Sequence, residues 1–159
     1  MQKKRFRVVA VGGTFDHLHK GHKALLSKTF DVGDLVVIGV TSDEFAKKLG
    51  KRLDHDYRSR VASLRRYLAS AFRGQKYEIH SLNDYFGPAI YKGKVEAIVV
   101  SKETTSKVKM ANDERRKLGY KPLRKVVIDW VLAEDGKPIS STRIRAGEID
   151  EKGKLLRRQ

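Results

Sequence analysis

The chain of 159 residues carries 35 lysines and arginines against 19 aspartates and glutamates, a formal net charge of +16, with 40% hydrophobic residues and no cysteine. That apolar content suits a single domain spanning residues 1–159, while the missing cysteines exclude disulfides, thiolate metal sites and thiol catalysis. No apolar run approaches the ~18 residues of a membrane helix, and no apolar segment follows the MQKKR start, so a soluble, cytoplasmic protein is expected.

The charge predicts attraction to polyanions, either nucleic acid or small phosphorylated ligands. Basic residues are scattered as pairs (3–4, 47–48, 65–66, 115–116, 157–158), without a long tract and without the interleaved aromatics of a single-strand stacking platform. Small phosphorylated ligands are therefore the leading reading. A basic nucleic-acid-binding module is the alternative from a different class, and no specific nucleic-acid partner is expected.

In chain order, FRVVAVGG (6–13) reads as a buried strand, followed by a helix from near His19 with Leu25, Leu26 and Phe30 on one side, ending at 31–33. LVVIGV (35–40) is a second strand, and strand, helix and strand together predict a right-handed parallel crossover. DYRSRVASLRRYLASAF places Val61, Leu64, Leu68 and Phe72 at helical spacing. Further strands are predicted at 77–82, 95–101 and 125–131, with a helix between the last two from Thr104 or Thr105 to Gly119. Five strands alternating with helices predict a doubly wound α/β fold with a five-stranded parallel sheet, Rossmann-like in architecture. GGTFD (12–16), TSDEFAKK (41–48) and SKETTSK (101–107) then fall at the carboxyl ends of strands, where ligands bind in such sheets. The segment 147–159 is polar enough to read as a partly mobile tail.

Two motifs carry the chemistry. GGTFDHLHKGH (12–22) follows the first strand with two glycines, a threonine, an aspartate and three histidines. A strand that stops at glycines before a helix offers backbone N–H groups and a positive dipole end to an anion, and histidine adds donors active near neutral pH. A rival reading makes His17, His19 and His22 with Asp16 zinc ligands. The second motif, ISSTRIR (139–145), places hydroxyls and guanidinium groups at the start of a short terminal helix capped by Ser140, a cradle suited to phosphate oxygens.

His19-Lys20-Gly21-His22, preceded by G-T-F-D, resembles the H-x-G-H signature of a nucleotidyltransferase superfamily, and in that superfamily an I-S-S segment near the C-terminus grips the outer phosphates of the nucleotide. VVAVGGTFDHLHKGHKALL, GVTSDEFAK (39–47), the Tyr57-x-x-Arg60 pair, SKET (101–104), the Asn112-x-x-Arg115 pair and PISSTRIRAGEID (138–150) together resemble the phosphopantetheine adenylyltransferases of the archaeal type. The bacterial form has threonine in place of His19 and an arginine pair where this chain has SKETTSK, so its ligand assignments are not carried into that loop.

The resemblance implies reversible transfer of an adenylyl group from ATP to 4′-phosphopantetheine, with Mg²⁺ held chiefly by the ATP phosphates and no dedicated metal site on the protein. The acceptor is already ionised, so positioning and charge stabilisation supply the catalysis. His22, His19 and Thr14 are the catalytic candidates. Gly13, Phe15, His22, Asn112, Arg115, Ser140, Ser141, Thr142 and Arg145 are the ATP-binding candidates. Thr14 and Lys47 are assigned to the acceptor phosphate, with Lys48 and Lys51 as alternatives to Lys47. A cytidylyltransferase acting on glycerol 3-phosphate is the enzymatic runner-up, and a monomer or small homo-oligomer is expected.

Overall fold

The structure, a computed structural model, describes residues 4–156. Five strands, β1 (Phe6–Gly13), β2 (Gly33–Thr41), β3 (Lys76–Leu82), β4 (Ala97–Ser101) and β5 (Arg124–Ile128), form one all-parallel sheet in the order β3-β2-β1-β4-β5. The helices are α1 (Lys20–Val32), α2 (Asp43–Lys48), α3 (Tyr57–Ala71), α4 (Pro88–Tyr91), α5 (Val108–Lys117) and α6 (Ser141–Arg145). The apolar spacing read in the sequence for α1 and α3 marks the faces these helices pack against the sheet.

The central strand β1 is apolar on both faces, as a strand covered on two sides must be. On one face Val11, Val36, Ile38 and Val40 pack against Leu26 and Phe30 of α1 and Leu64 and Leu68 of α3. On the other, Val8, Ala10, Val37, Ile98 and Val100 pack against Ala89 and Ile90 of α4 and Val108 and Ala111 of α5. The doubly wound architecture expected from the sequence is the one observed. Strand order reverses between β1 and β4, and the crevice at such a switch point is where the site lies.

Two readings differ from expectation and one holds with a local change. The last strand stops at Ile128, so Asp129, Trp130 and Val131 leave the sheet and line the crevice instead. The helix after β4 starts at Thr105 as expected, its first turn being 3-10 (Thr105–Lys107) before α5 proper, and Gly119 in the left-handed region (φ 78°) terminates it as expected. The segment read as a tail is pinned as far as it is described. Ile149 is fully buried with Ala133 and Ile139, an Ile149–Leu155 bridge closes a turn, and the Glu151 carbonyl accepts a bond from the Lys20 amide. Residues 157–159 lie outside the described part.

Candidate active site

A cleft of about 430 Å³ opens over the carboxyl ends of β1, β2 and β4, within the size range of small-molecule sites. Gly13, Thr14, His19, His22, Lys51, Ser101, Thr104, Ser140, Ser141, Thr142 and Arg145 all line it. The two sequence motifs, about 120 residues apart, thus line one cavity.

His19 is the N-cap of α1. Its Nδ1 accepts from the backbone amides of Gly21 (3.0 Å) and His22 (3.3 Å), while His22 Nδ1 accepts in return from the His19 amide (3.3 Å). This is a capping box built from two histidines, the reciprocal arrangement usually made by serine or threonine with glutamate. It fixes the tautomer: with Nδ1 as acceptor in both rings, each neutral imidazole carries its proton on Nε2. The rings stack at 3.7 Å between centroids, and the Phe15 ring lies 5.0 Å from that of His22. Gly21 is required because a Cβ there would stand 2.9 Å from His19 Cε1 and 3.0 Å from its Nδ1.

Burial, reinforced by the nearby His17, lowers the His19 pKa to about 4. Burial and then the adjacent His19 lower that of His22 to about 3. Both are therefore neutral Nε2–H donors at pH 7 before any ligand arrives. The expectation that free backbone amides at the start of α1 bind phosphate needs correction. The amides of Gly21 and His22 are taken by the His19 ring, that of Lys20 by the Glu151 carbonyl and that of Lys23 by the His19 carbonyl. What this helix end offers an anion is imidazole N–H and the dipole.

Asp16, missed as a site residue except as a possible zinc ligand, ties the motifs together. Its buried carboxylate accepts from the amides of Asp54 and His55, from His55 Nδ1 and from the Arg145 guanidinium at 2.8 Å. Burial alone would raise its pKa, but these hydrogen bonds outweigh it and hold the carboxyl below its usual value. The zinc grouping of the rival reading is not the one formed. Asp16 and His17 cluster with His55 and not with His19 and His22, and Asp16 spends both oxygens on N–H donors, one of them cationic.

Ser140 caps α6 by accepting from the Arg143 amide, which leaves its own O–H as a donor. Arg145 reaches Asp16 and the Thr142 hydroxyl (3.4 Å), whereas Arg143 turns away to Asp135, Glu148 and the Pro138 carbonyl. Of the two arginines in ISSTRIR, Arg145 alone lines the cleft.

Four sequence assignments are placed elsewhere. Arg115 is 1% exposed and gives its donors to the carbonyls of Ala89, Lys92, Gly93, Val95 and Lys121, so it closes the end of α4 and does not reach the cleft. Asn112 is bonded through both amide atoms to the backbone of Leu123. A buried guanidinium surrounded by carbonyls is fully committed, and the shared helix face that suggested nucleotide contact is the face packed inward. The Phe15 side chain is buried, with its backbone in the left-handed region (φ 54°), and it supports His22 from below. Lys47 is exposed in the last turn of α2 and does not line the cleft.

Lys51 lines the cleft instead, with Nζ 3.5 Å from Thr14 Oγ1. The cause is local. The Gly50 amide bonds back to Lys47, the Lys51 amide bonds back to Ala46, and Gly50 takes φ 72°, a left-handed glycine cap that reverses the chain after α2. Burial and the neighbouring Lys107 and Arg145 lower the Lys51 pKa. Above the lysine, the Lys107 ammonium sits 4.1 Å over the Tyr85 ring, which meets Phe45 edge-on at 5.3 Å, so an apolar arch with a cationic tip bounds this half of the cleft.

Comparison with known proteins agrees with this geometry. The cytidylyltransferase-like family matches residues 10–147. A phosphopantetheine adenylyltransferase of Methanothermobacter thermautotrophicus is 45% identical over 98% of this chain and 93% of its own, and one from Methanopyrus kandleri is 46% identical over 92% and 93%. A solved structure of a protein of unknown function from Archaeoglobus fulgidus superposes with TM-score 0.69 at 31% identity, covering 83% of this chain and 98% of that one. The chain therefore belongs to the cytidylyltransferase-like family and, within it, to the phosphopantetheine adenylyltransferases.

Proposed function

We propose that this protein transfers the adenylyl group of ATP to 4′-phosphopantetheine, releasing pyrophosphate and forming dephospho-coenzyme A, at the cleft between the two motifs. The observation that carries the reading is the convergence, in one cavity, of two neutral imidazole donors, a hydroxyl-bearing α6 with Arg145, and a lysine poised on Thr14. Identity of 45–46% with relatives that bear the adenylyltransferase name favours this activity over glycerol-3-phosphate cytidylyl transfer.

The acceptor phosphate brings its own nucleophilic oxygen, so no protein nucleophile is needed and an in-line displacement at the α-phosphorus follows from placement. On this reading Lys51 and Thr14 hold the acceptor phosphate. Ser140, Ser141, Thr142 and Arg145 hold the β and γ phosphates. His19 and His22 donate Nε2–H to oxygens on the α-phosphorus as negative charge builds there. A neutral imidazole with its proton on Nε2 can make this bond as it stands, and the bond strengthens as charge builds on the acceptor oxygen.

Mg²⁺ is assigned to the triphosphate. Of the carboxylates around the cleft, Asp16 is fully engaged, Asp84 accepts from the amides of Phe86 and Gly87, and Asp129 is paired with Lys102, which leaves Glu103, exposed on the cleft lining, as a single carboxylate and not a cluster. Such a donor set fits an ion carried mainly by phosphate oxygens and water. The ion would offset charge on the leaving pyrophosphate. The test is mass-spectrometric detection of dephospho-coenzyme A from ATP and 4′-phosphopantetheine, run beside CTP with glycerol 3-phosphate. Product from the first pair alone supports the reading, and product from the second pair alone overturns it.

A further inference from the structure

The Tyr57-x-x-Arg60 pair has no place among the ligand-binding residues, and Arg60 is nevertheless one of the two largest side chains withdrawn completely from solvent. Its guanidinium is spent on four groups from separate parts of the chain. Nη1 donates to the Thr14 carbonyl (2.8 Å) and the Thr41 carbonyl (2.7 Å), Nε to the His55 carbonyl (3.1 Å), and Nη2 to Asp43 Oδ1 (2.8 Å). Arg60 itself sits on α3, whose start is fixed by Asp43 accepting from the Tyr57 amide and by Asp56 at the N-cap.

These partners form a pattern. Thr41 ends β2 and Asp43 is the first residue of α2, and His55 closes the loop that follows this helix, so Arg60 grips both ends of the segment 42–55 that delivers Lys51. The fourth partner is the carbonyl of Thr14, the residue whose hydroxyl faces Lys51 at 3.5 Å. A planar guanidinium with its donors in a fixed fork holds four acceptors at set angles, which an ammonium cannot do. Asp16 closes the same loop from the other side through the amides of Asp54 and His55.

We infer that Arg60 is a positioning residue for the transfer reaction: acting through the Thr14 carbonyl and the two ends of segment 42–55, it sets Lys51 against Thr14 and so fixes where the acceptor phosphate sits relative to the histidine pair. It touches neither substrate. Its kinetic consequences rest on the proposed function, whereas its effect on the segment does not.

The experiment uses Arg60→Lys, which keeps charge and length but loses the fork. The expected result is a fall of ~10-fold or more in kcat/KM for 4′-phosphopantetheine with ATP affinity, measured separately by calorimetry, changed by less than ~3-fold. In a double-mutant cycle, Arg60→Lys should add little on a Lys51→Ala background, since the arginine acts through the lysine. Amide hydrogen exchange supplies the readout that needs no turnover: peptides covering 42–56 should exchange faster, and peptides covering 138–148 should not.

A rise in exchange throughout the chain, with ATP affinity and acceptor efficiency falling together, would reduce Arg60 to a general stabiliser and overturn the inference. Full additivity with Lys51→Ala would do the same. Should Arg60→Lys fail to fold, Asp43→Asn removes the anionic partner while its amide oxygen can still accept from the Tyr57 amide, and it must produce the same acceptor-selective loss at smaller size, or the inference fails. If the wild-type protein does not turn over this substrate pair, the function proposal fails, and the exchange pattern alone decides the positioning claim.

Discussion

Replacing Gly21 by alanine separates the chemistry of the histidine pair from the stability of the fold. The new Cβ would lie 2.9 and 3.0 Å from atoms of the His19 ring, where ordinary contact begins at 3.4 Å, so the ring must withdraw by about half an ångström or tilt. Because that ring stacks on His22 at 3.7 Å, both Nε2–H groups shift. For stability the effects oppose one another. A weakened N-cap costs about 0.5–2 kcal/mol, while alanine in place of glycine inside a helix returns about 1 kcal/mol. The net change is about 1 kcal/mol or less, a few degrees in melting temperature for a domain of this size. Catalysis has no such compensation: a misplacement of 1 Å costs about 10²-fold, so a shift of about half that costs about 10-fold. Pyrophosphate release should therefore fall about 10-fold or more in a protein that melts within a few degrees of wild type. A folded Gly21→Ala enzyme retaining activity within ~3-fold would refute the claim that the stacked pair must be held this tightly.

Three further outcomes follow from the same geometry. His22→Ala removes one preorganised donor and should lower kcat by about 10² to 10³, with ATP affinity by calorimetry changing far less. Lys51→Ala should lower kcat/KM for the acceptor by ~10-fold or more, whereas Lys47→Ala, exposed on α2, should stay within ~2-fold in the same assay. Stability should decline on mild acidification. The folded-state pKa values of His19 and His22, about 4 and about 3, lie below the unfolded value of 6.5. The unfolded chain therefore takes up protons first as pH drops below 6.5, and stability present above that value is lost progressively down to about pH 4 for His19 and about pH 3 for His22. At about 1.4 kcal/mol per pH unit the two together amount to several kcal/mol. Denaturant melts between pH 7 and pH 4 will measure this, and in the His19→Asn, His22→Asn double variant the slope should flatten.

The five strands and the two motifs were readable because each rests on local pattern: apolar runs for a sheet buried on both faces, and fixed spacing for the histidines and serines. The lysine was not settled by the same logic, since Lys47, Lys48 and Lys51 are equivalent in composition. Yet Gly50 is a legible helix-stop signal, and a lysine immediately after such a cap is turned back toward the strand end. Arg115 and Asn112 misled because a helical face is a geometric fact that does not say whether it points outward. Their partners are carbonyls and amides of loops whose position only the folded chain supplies. Asp16 and Arg60 belong to the same class. G-T-F-D and the Tyr57-x-x-Arg60 pair contain them but do not say what they hold, and their importance comes from long-range pairing, over 129 residues for Asp16 with Arg145.

The account turns on neutral imidazoles whose protons sit on Nε2, and ¹⁵N-detected NMR of histidine-labelled protein measures that directly. Without ligand at pH 7, His19 and His22 should both show the neutral Nε2–H tautomer and should resist protonation until well below pH 5. Nδ1–H tautomers, or either ring cationic at pH 7, would contradict the capping-box geometry and with it the proposed stabilisation of the transferring phosphate.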